Sequence, residues 1–245
     1  MIHVPTHPAL HTLFDLLAWS TGAFVGWGLY RWRLKGAVAW TASTVGAAWF
    51  AAVAAGAVLG AWLAGSLNTL RDAHPSLSHS IVGALVGSIV AVEVYKGLRG
   101  IRGSTGAAFT GSFAAGAAVG RLGCFFAGLP DRTYGEPTAL PWAVDLGDGV
   151  GRHPVQLYES GVMVLFLLAY GAGLARRAPW AMQRGFYVLC IVYGAQRFAW
   201  EFLKPYPTVF GPFNLFHGLS LALVLYGVVF YGRDLARARH GPDAA

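Results

Sequence analysis

Arg121 stands in the run Gly-Arg-Leu-Gly-Cys-Phe-Phe-Ala-Gly, residues 120–128, within a stretch otherwise built of small and apolar residues. An ionisable group in such a place costs about 3 kcal/mol on insertion scales, so it should face a bundle interior or a hydrated cavity. Gly120, Gly123 and Gly128 let backbones approach and leave room for a planar anionic group beside the guanidinium. Arg197 is a second arginine of this kind, four residues after Tyr193 and four before Glu201, so the three share one helix face. Two deep arginines suit a phosphate, which guanidinium groups bind bidentately. The plainer alternative is an Arg197–Glu201 ion pair that only neutralises both charges.

A third group lies in Arg152-His153-Pro154-Val155-Gln156-Leu157-Tyr158-Glu159. Pro154 fits the first turn of a helix, where its missing N–H is tolerated, and Gln156 and Glu159 then approach one face at i, i+3. A helix cap followed by an interfacial tyrosine explains the same residues without chemistry. Of the eight histidines, all except His240 fall at or near one side of the membrane in the topology below: His3, His7, His11, His74, His79, His153 and His217. A polar chamber opening to that side accounts for the pattern, and so does simple snorkelling of polar residues at helix ends.

These residues need helices to hold them. Of the 245 residues, 56% are hydrophobic and only 12% charged, against roughly 25% charged in an ordinary soluble domain, which points to lipid. Roughly 20 apolar residues at ~1.5 Å each span a hydrocarbon core of ~30 Å. Stretches near 11–30, 37–66, 79–98, 104–128, 156–175, 182–203 and 209–231 meet or approach that length. The second is long enough to require a tilt or a break. The expected class is an all-α polytopic membrane helical bundle of about seven transmembrane helices, with residues 1–231 as one transmembrane domain and 232–245 as a short cytoplasmic tail.

Orientation follows from lysine and arginine, which are retained on the cytoplasmic side. Arg31, Arg33 and Lys35 follow the first span, Lys96, Arg99 and Arg102 close the third, Arg176, Arg177 and Arg184 follow the fifth, and Arg233, Arg237 and Arg239 follow the seventh. Arg71, Arg121, Arg132, Arg152, Arg197 and Lys204 fall on the opposite side or in helices approaching it. The pattern puts the N-terminus outside and the C-terminus inside, with the polar residues toward the outer face. Glu93 is the exception, near the cytoplasmic end of its span and spaced to pair with Lys96. The longest connection, 129–155, mixes proline, glycine and charge and reads as a solvated or re-entrant outer loop.

The order Gly-Arg-Leu-Gly-Cys-Phe, then Tyr134-Gly135, Pro141-Trp142-Ala143-Val144 and Arg152 through Glu159, resembles the prolipoprotein diacylglyceryl transferases. Ser78-His79 and Arg197-Phe198 followed by Glu201-Phe202 are similar to further motifs of that family, so the resemblance covers much of residues 74–203. It implies a multi-pass enzyme of the bacterial inner membrane that moves the diacylglyceryl group of phosphatidylglycerol onto the lipobox cysteine of a prolipoprotein signal peptide. Arg121 and Arg197 would hold the lipid phosphate, with His79 as the base or orienting group for the thiol; an imidazole pKa near ~6.5 suits that task. Tyr158, Glu159, Tyr193, Glu201, His153 and Gln156 would bind substrate. Where fuller members carry Asn, Asn and Glu after Gly-Arg-x-Gly, this chain has Cys124, Ala127 and Leu129.

Two other functions fit the same composition: a paralogue acting on another phospholipid or acceptor, and a small transporter, which 33 glycines and buried charge would suit. A transporter should gather its polar residues at the bilayer midplane. The net charge of +7 comes without a basic stripe interleaved with exposed aromatics, so no nucleic-acid partner is expected. Cys124 and Cys190, both in apolar stretches, read as packing residues; no metal and no cofactor is expected, and no zinc signature, Ser-His-Asp order or phosphate loop is evident.

Overall fold

A computed structural model describes residues 1–70 and 77–240. Arg71 and His74, assigned to the outward side above, and residues 241–245 of the tail lie outside the described residues. The elements are β1 (Ile2–His3), α1 (Ala9–Leu29), a π-helical turn (Tyr30–Leu34), α2 (Lys35–Thr44), α3 (Ala47–Thr69), α4 (Ile81–Arg99) and α5 (Ala107–Ala127), then a 3-10 turn (Leu129–Asp131), β2 (Val144–Asp145), β3 (Gly151–Arg152), α6 (Val155–Ala175), α7 (Pro179–Glu201) and α8 (Leu215–His240). The class is all-α, as expected. Within α3, α4, α6 and α8 lie segments long and apolar enough to cross a membrane. Large side chains such as Leu59, Leu63, Val90, Leu98, Leu165 and Leu225 stay exposed on them, as contact with acyl chains requires.

Local chemistry explains the helix ends. The Ser80 hydroxyl accepts the Gly83 N–H at the start of α4, and Gly100 closes that helix in the left-handed region at φ 65°. Pro179 occupies the first turn of α7, where its missing N–H costs nothing. Asn214 caps α8, its side-chain oxygen accepting the N–H groups of Phe216 and His217 at 2.9 and 3.1 Å. The boundaries expected for the first two spans shift. No loop follows residue 30, because the chain continues helically through Tyr30–Leu34, with the guanidinium of Arg33 5.2 Å over the Trp32 ring. The long second stretch breaks instead at Gly46, whose extended backbone separates α2 from α3.

The chain divides into two compact units: Met1–Leu34 with Ala108–Met182 and Ala199–Pro205, and Lys35–Ala107 with Gln183–Phe198 and Tyr206–Ala245. In the second unit, α3 and α4 pack through paired glycines. A Cβ built on Gly60 would lie 2.2 Å from the Gly83 carbonyl oxygen, and one on Gly87 would lie 2.2 Å from that of Gly56. Gly56 and Gly60, like Gly83 and Gly87, have the four-residue spacing that lets membrane helices touch along their backbones. In the first unit, α1 and α5 approach in a similar way, a Cβ on Gly123 falling 2.5 Å from Phe14 Cβ.

The connection 129–155, expected as an irregular loop, is organised within the first unit by a small sheet of order β1-β2-β3. β1 and β2 are parallel with Ile2 opposite Val144, and β2 and β3 antiparallel with Val144 opposite Arg152. Val144, Leu146 and Phe125 form a small apolar cluster beneath it. The Asp145 carboxylate accepts the N–H groups of Gly147, Asp148 and Gly149 and bonds His3 Nδ1 at 2.8 Å. The Gly147 bond leads in holding this carboxyl below the usual range; burial opposes it, and Gly149 and His3 reinforce it.

Two outcomes follow from this packing. Gly60→Ala forces α3 from α4 and lowers stability by about 1–3 kcal/mol, whereas Gly97→Ala, with open space around its Cα, is neutral or slightly stabilising; thermal unfolding in detergent compares them. Because its folded-state pKa is depressed, the Asp145 contribution is complete above the ordinary carboxylate pKa of about 3.9 and fades as pH falls through the lowered value. Asp145→Asn should therefore bring to neutral pH a loop opening that the parent shows only in acid, read by limited proteolysis between residues 137 and 152.

Candidate functional site

In the first unit, α6 begins with Gln156 and Glu159 buried to about 1% exposure. One residue on, the Ser160 hydroxyl donates to the carbonyl of Ala118 on α5 at 2.8 Å, which fixes α6 against α5 and brings Glu159 level with Arg121. Arg121 Nε lies 2.6 Å from Glu159 Oε2. Lys204, just beyond α7, places Nζ 2.8 Å from Glu159 Oε1 and 3.9 Å from Glu201 Oε2. Two cations and two carboxylates thus gather in one cluster. Each would be costly to bury alone, and alternating signs make burial tolerable.

The cluster joins Arg121, Glu159 and Glu201, three of the residues singled out in the sequence, through Lys204, which was not among them. Lys204 was visible only as an outward basic residue; its i, i+3 spacing from Glu201 is a weak signal, and the pairing with Glu159 is set by tertiary packing. The proposed Arg197–Glu201 ion pair is thus not the only account of Glu201, which faces Lys204.

A polar chain leads away from the cluster within the same unit. Gln156 Nε2 donates to Thr133 Oγ1 at 3.4 Å, and the Thr133 hydroxyl donates to Asp131. Asp131 Oδ1 lies 3.0 Å from His11 Nε2, and the other ring nitrogen of His11 is 2.9 Å from Asp15 Oδ2. Burial alone would raise the Asp131 carboxyl, but hydrogen bonds from His11 and Thr133 and the nearby charges of His11 and Arg121 carry it below the usual range. Cys124, read as a packing residue, is only half-buried, with its sulfur 3.8 Å from Arg121 Nη1. Cys190 is buried.

Tyr158 takes another direction. Its hydroxyl accepts the indole N–H of the exposed Trp142 at 2.7 Å and lies 3.5 Å from His153 Nδ1, and its ring packs on Trp200 with centroids 5.2 Å apart. Pro154 sits just outside α6 as its cap, and the loop ahead is tied by a bidentate Arg152–Asp148 pair at 2.6 and 2.7 Å. These contacts are those of a rigid aromatic rim.

The second unit holds His79, Tyr193 and Arg197. His79 is exposed in the extended segment entering α4, its ring 4.6 Å from that of Trp62. Tyr193 and Arg197 lie one turn apart on α7 and are buried, the guanidinium 5.5 Å over the Phe216 ring. His217, seen in the sequence only as one of the outward histidines, is buried against Phe198 and Phe213, and its Nδ1 accepts the Asn214 backbone N–H at 3.1 Å. Glu93, as its spacing suggested, pairs with Lys96 at 2.8 Å.

A profile of the prolipoprotein diacylglyceryl transferases matches residues 16–233, nearly the whole chain. The chain belongs to this family. Among its relatives, a protein of Methylococcus capsulatus named phosphatidylglycerol–prolipoprotein diacylglyceryl transferase is 36% identical over 166 residues, 63% of this chain and 61% of the relative. Proteins of the same name from Solidesulfovibrio magneticus and Bordetella avium are 32% and 30% identical, over 76% of this chain in both cases and over 69% and 77% of their own lengths. Against the first of these relatives, the chain spans about three-fifths of the relative's length. No solved structure matches it.

Since Glu159 compensates both Arg121 and Lys204, Glu159→Gln should lower stability on the order of 3 kcal/mol by leaving two buried cations short of an anion. Lys204→Met combined with Glu201→Gln removes one charge of each sign and should cost less than Lys204→Met alone. Thermal unfolding of the purified variants checks both.

Proposed function

We propose that this protein transfers the diacylglyceryl group of phosphatidylglycerol to the lipobox cysteine of a prolipoprotein. The observation that carries the reading is family membership over residues 16–233, joined to a family-motif arginine, Arg121, whose orientation is held by a buried carboxylate. In the reaction, the cysteine sulfur forms a bond to the glycerol carbon that bears the phosphate, the carbon–oxygen bond breaks, and glycerol phosphate departs with the electron pair. The thiol proton passes to a base.

Arg121 and Arg197 are assigned to the lipid phosphate, where guanidinium groups neutralise the charge that grows on the leaving oxygen. Glu159 acts on Arg121 as a positioning residue, fixing Nε and thereby the plane of the group. His79 is assigned as the base or orienting group for the thiol; its exposed place before α4 supports access by a peptide. Tyr158, His153, Gln156, Tyr193 and Glu201 are assigned to substrate binding, the Trp142–Tyr158–Trp200 rim being suited to a lipid–water boundary.

In this reading the chain crosses the bacterial inner membrane seven times, N-terminus outside and C-terminus inside, with residues 1–231 as its transmembrane part and the site toward the outer face. The lengths of α1, α5 and α7, 21, 21 and 23 residues, support counting them with the four most apolar helices. Cys124, Ala127 and Leu129 in place of the polar signature residues favour one alternative, a family member using another phospholipid or acceptor.

The test is transfer of labelled diacylglycerol from phosphatidylglycerol to a lipobox peptide by the purified protein. Arg121→Lys and Arg197→Lys, with thermal unfolding as a folding check, should each lower the rate about 10²–10³-fold, because an ammonium cannot reproduce the planar fork. A folded, lipid-supplied parent without transfer would overturn the assignment, and turnover with another phospholipid or acceptor would establish the alternative.

A further inference from the structure

The close approach of α1 and α5 assembles a second group of chemically capable atoms. His11 in the first turn of α1, Cys124 in the last turn of α5 and Asp131 in the 3-10 turn after it set an imidazole nitrogen, a sulfur and a carboxylate oxygen within 4.8 Å of one another. His11 Nε2 and Asp131 Oδ1 are 3.0 Å apart. Two ligands held ~2.0–2.1 Å from a tetrahedral ion lie about 3.3 Å from each other. The pair therefore stands within a few tenths of an ångström of the spacing that a shared ion requires, and the Cys124 sulfur lies within 4.8 Å of both.

Each of the three ligands also has an orienting partner. The far nitrogen of His11 faces the Asp15 carboxylate at 2.9 Å, the arrangement that fixes tautomer and ring plane in metal-bound histidines. The second oxygen of Asp131 accepts the Thr133 hydroxyl, leaving Oδ1 directed at His11. The Cys124 sulfur accepts a hydrogen bond from Arg121 Nη1 at 3.8 Å, which fixes its position at the end of α5. All three ligands are half-buried, which leaves an ion a path to them.

We propose that His11, Cys124 and Asp131 form a binding site for a divalent transition-metal ion, with Zn²⁺ as the best match to one nitrogen, one sulfur and one oxygen ligand. A set with a single oxygen excludes the hard cations magnesium and calcium, which take oxygen ligands in greater number, and a lone thiolate is too little for copper(I). Three protein ligands leave the fourth tetrahedral position to water or another small ligand. Cys124 follows Arg121 by one helical turn, so the ion adds positive charge beside the guanidinium. The proposal stands apart from the transferase assignment, because its readout is the ion itself.

The test uses the full chain in detergent, stripped with a chelator and titrated with Co²⁺ as a spectroscopic substitute for Zn²⁺. A single ion per chain should bind with a thiolate-to-cobalt charge-transfer band that Zn²⁺ abolishes by competition. Cys124→Ser should lose the band, and His11→Ala and Asp131→Asn should weaken binding at least ~10-fold. Asp15→Asn should weaken it ~10–100-fold while keeping the band, and Cys190→Ser should leave both unchanged. Thermal unfolding without metal shows that each variant is folded. Absence of the band in the parent, or its persistence in Cys124→Ser, would overturn the site and leave a hydrogen-bonded His11–Asp131 pair with a bystander thiol.

Discussion

Glu159 holds two cations. Its carboxylate lies 2.6 Å from Arg121 Nε and 2.8 Å from Lys204 Nζ, in a helix whose outer side is built for lipid. That anion helps to place both cations, since charge in a medium of low polarity is tolerated only when paired. The need to keep Glu159 between them ties α6 to α5 and to the chain just beyond α7. The Ser160–Ala118 hydrogen bond supplies the same constraint one residue further along.

That constraint also orders the chemistry nearby. A guanidinium held by one edge presents the rest of its planar fork in a defined direction, which a flexible arginine on a lipid-facing surface does not. Helices must then approach closely enough for short polar side chains to meet, and glycine and alanine allow it: α5 carries Ala114, Ala118 and Gly123 at buried positions, and Gly123 meets α1 where a larger residue would strike Phe14. In the second unit, Gly56, Gly60, Gly83 and Gly87 do the same for α3 and α4. At these positions glycine lets helices touch closely in lipid, where no water-driven force holds them together.

The loop before α6 adds rigidity at the border of the apolar helices. Asp145 gathers three backbone N–H groups and the His3 imidazole, so the first residues of the chain become part of the structure that leads into Tyr158 and Glu159. Proline and glycine made this stretch look irregular, and the N-terminal strand that completes its small sheet carries no periodic signal because it is two residues long.

The amino-acid sequence by itself determined the membrane class, the approximate helices and the family, because apolar length and motif order are local properties. It also marked Arg121, Arg197, Glu159 and Glu201 as unusual, since a charge in an apolar run is costly wherever the chain goes. Tertiary structure alone decided the partners. Lys204 meets Glu159 across 45 residues of chain, and Asp131 and Cys124 come beside His11 from a distant part of the sequence, contacts that no spacing rule encodes. It likewise decided that the long second stretch breaks at Gly46 while Tyr30–Leu34 stays helical, since helix continuity in lipid is set by which backbone groups find partners.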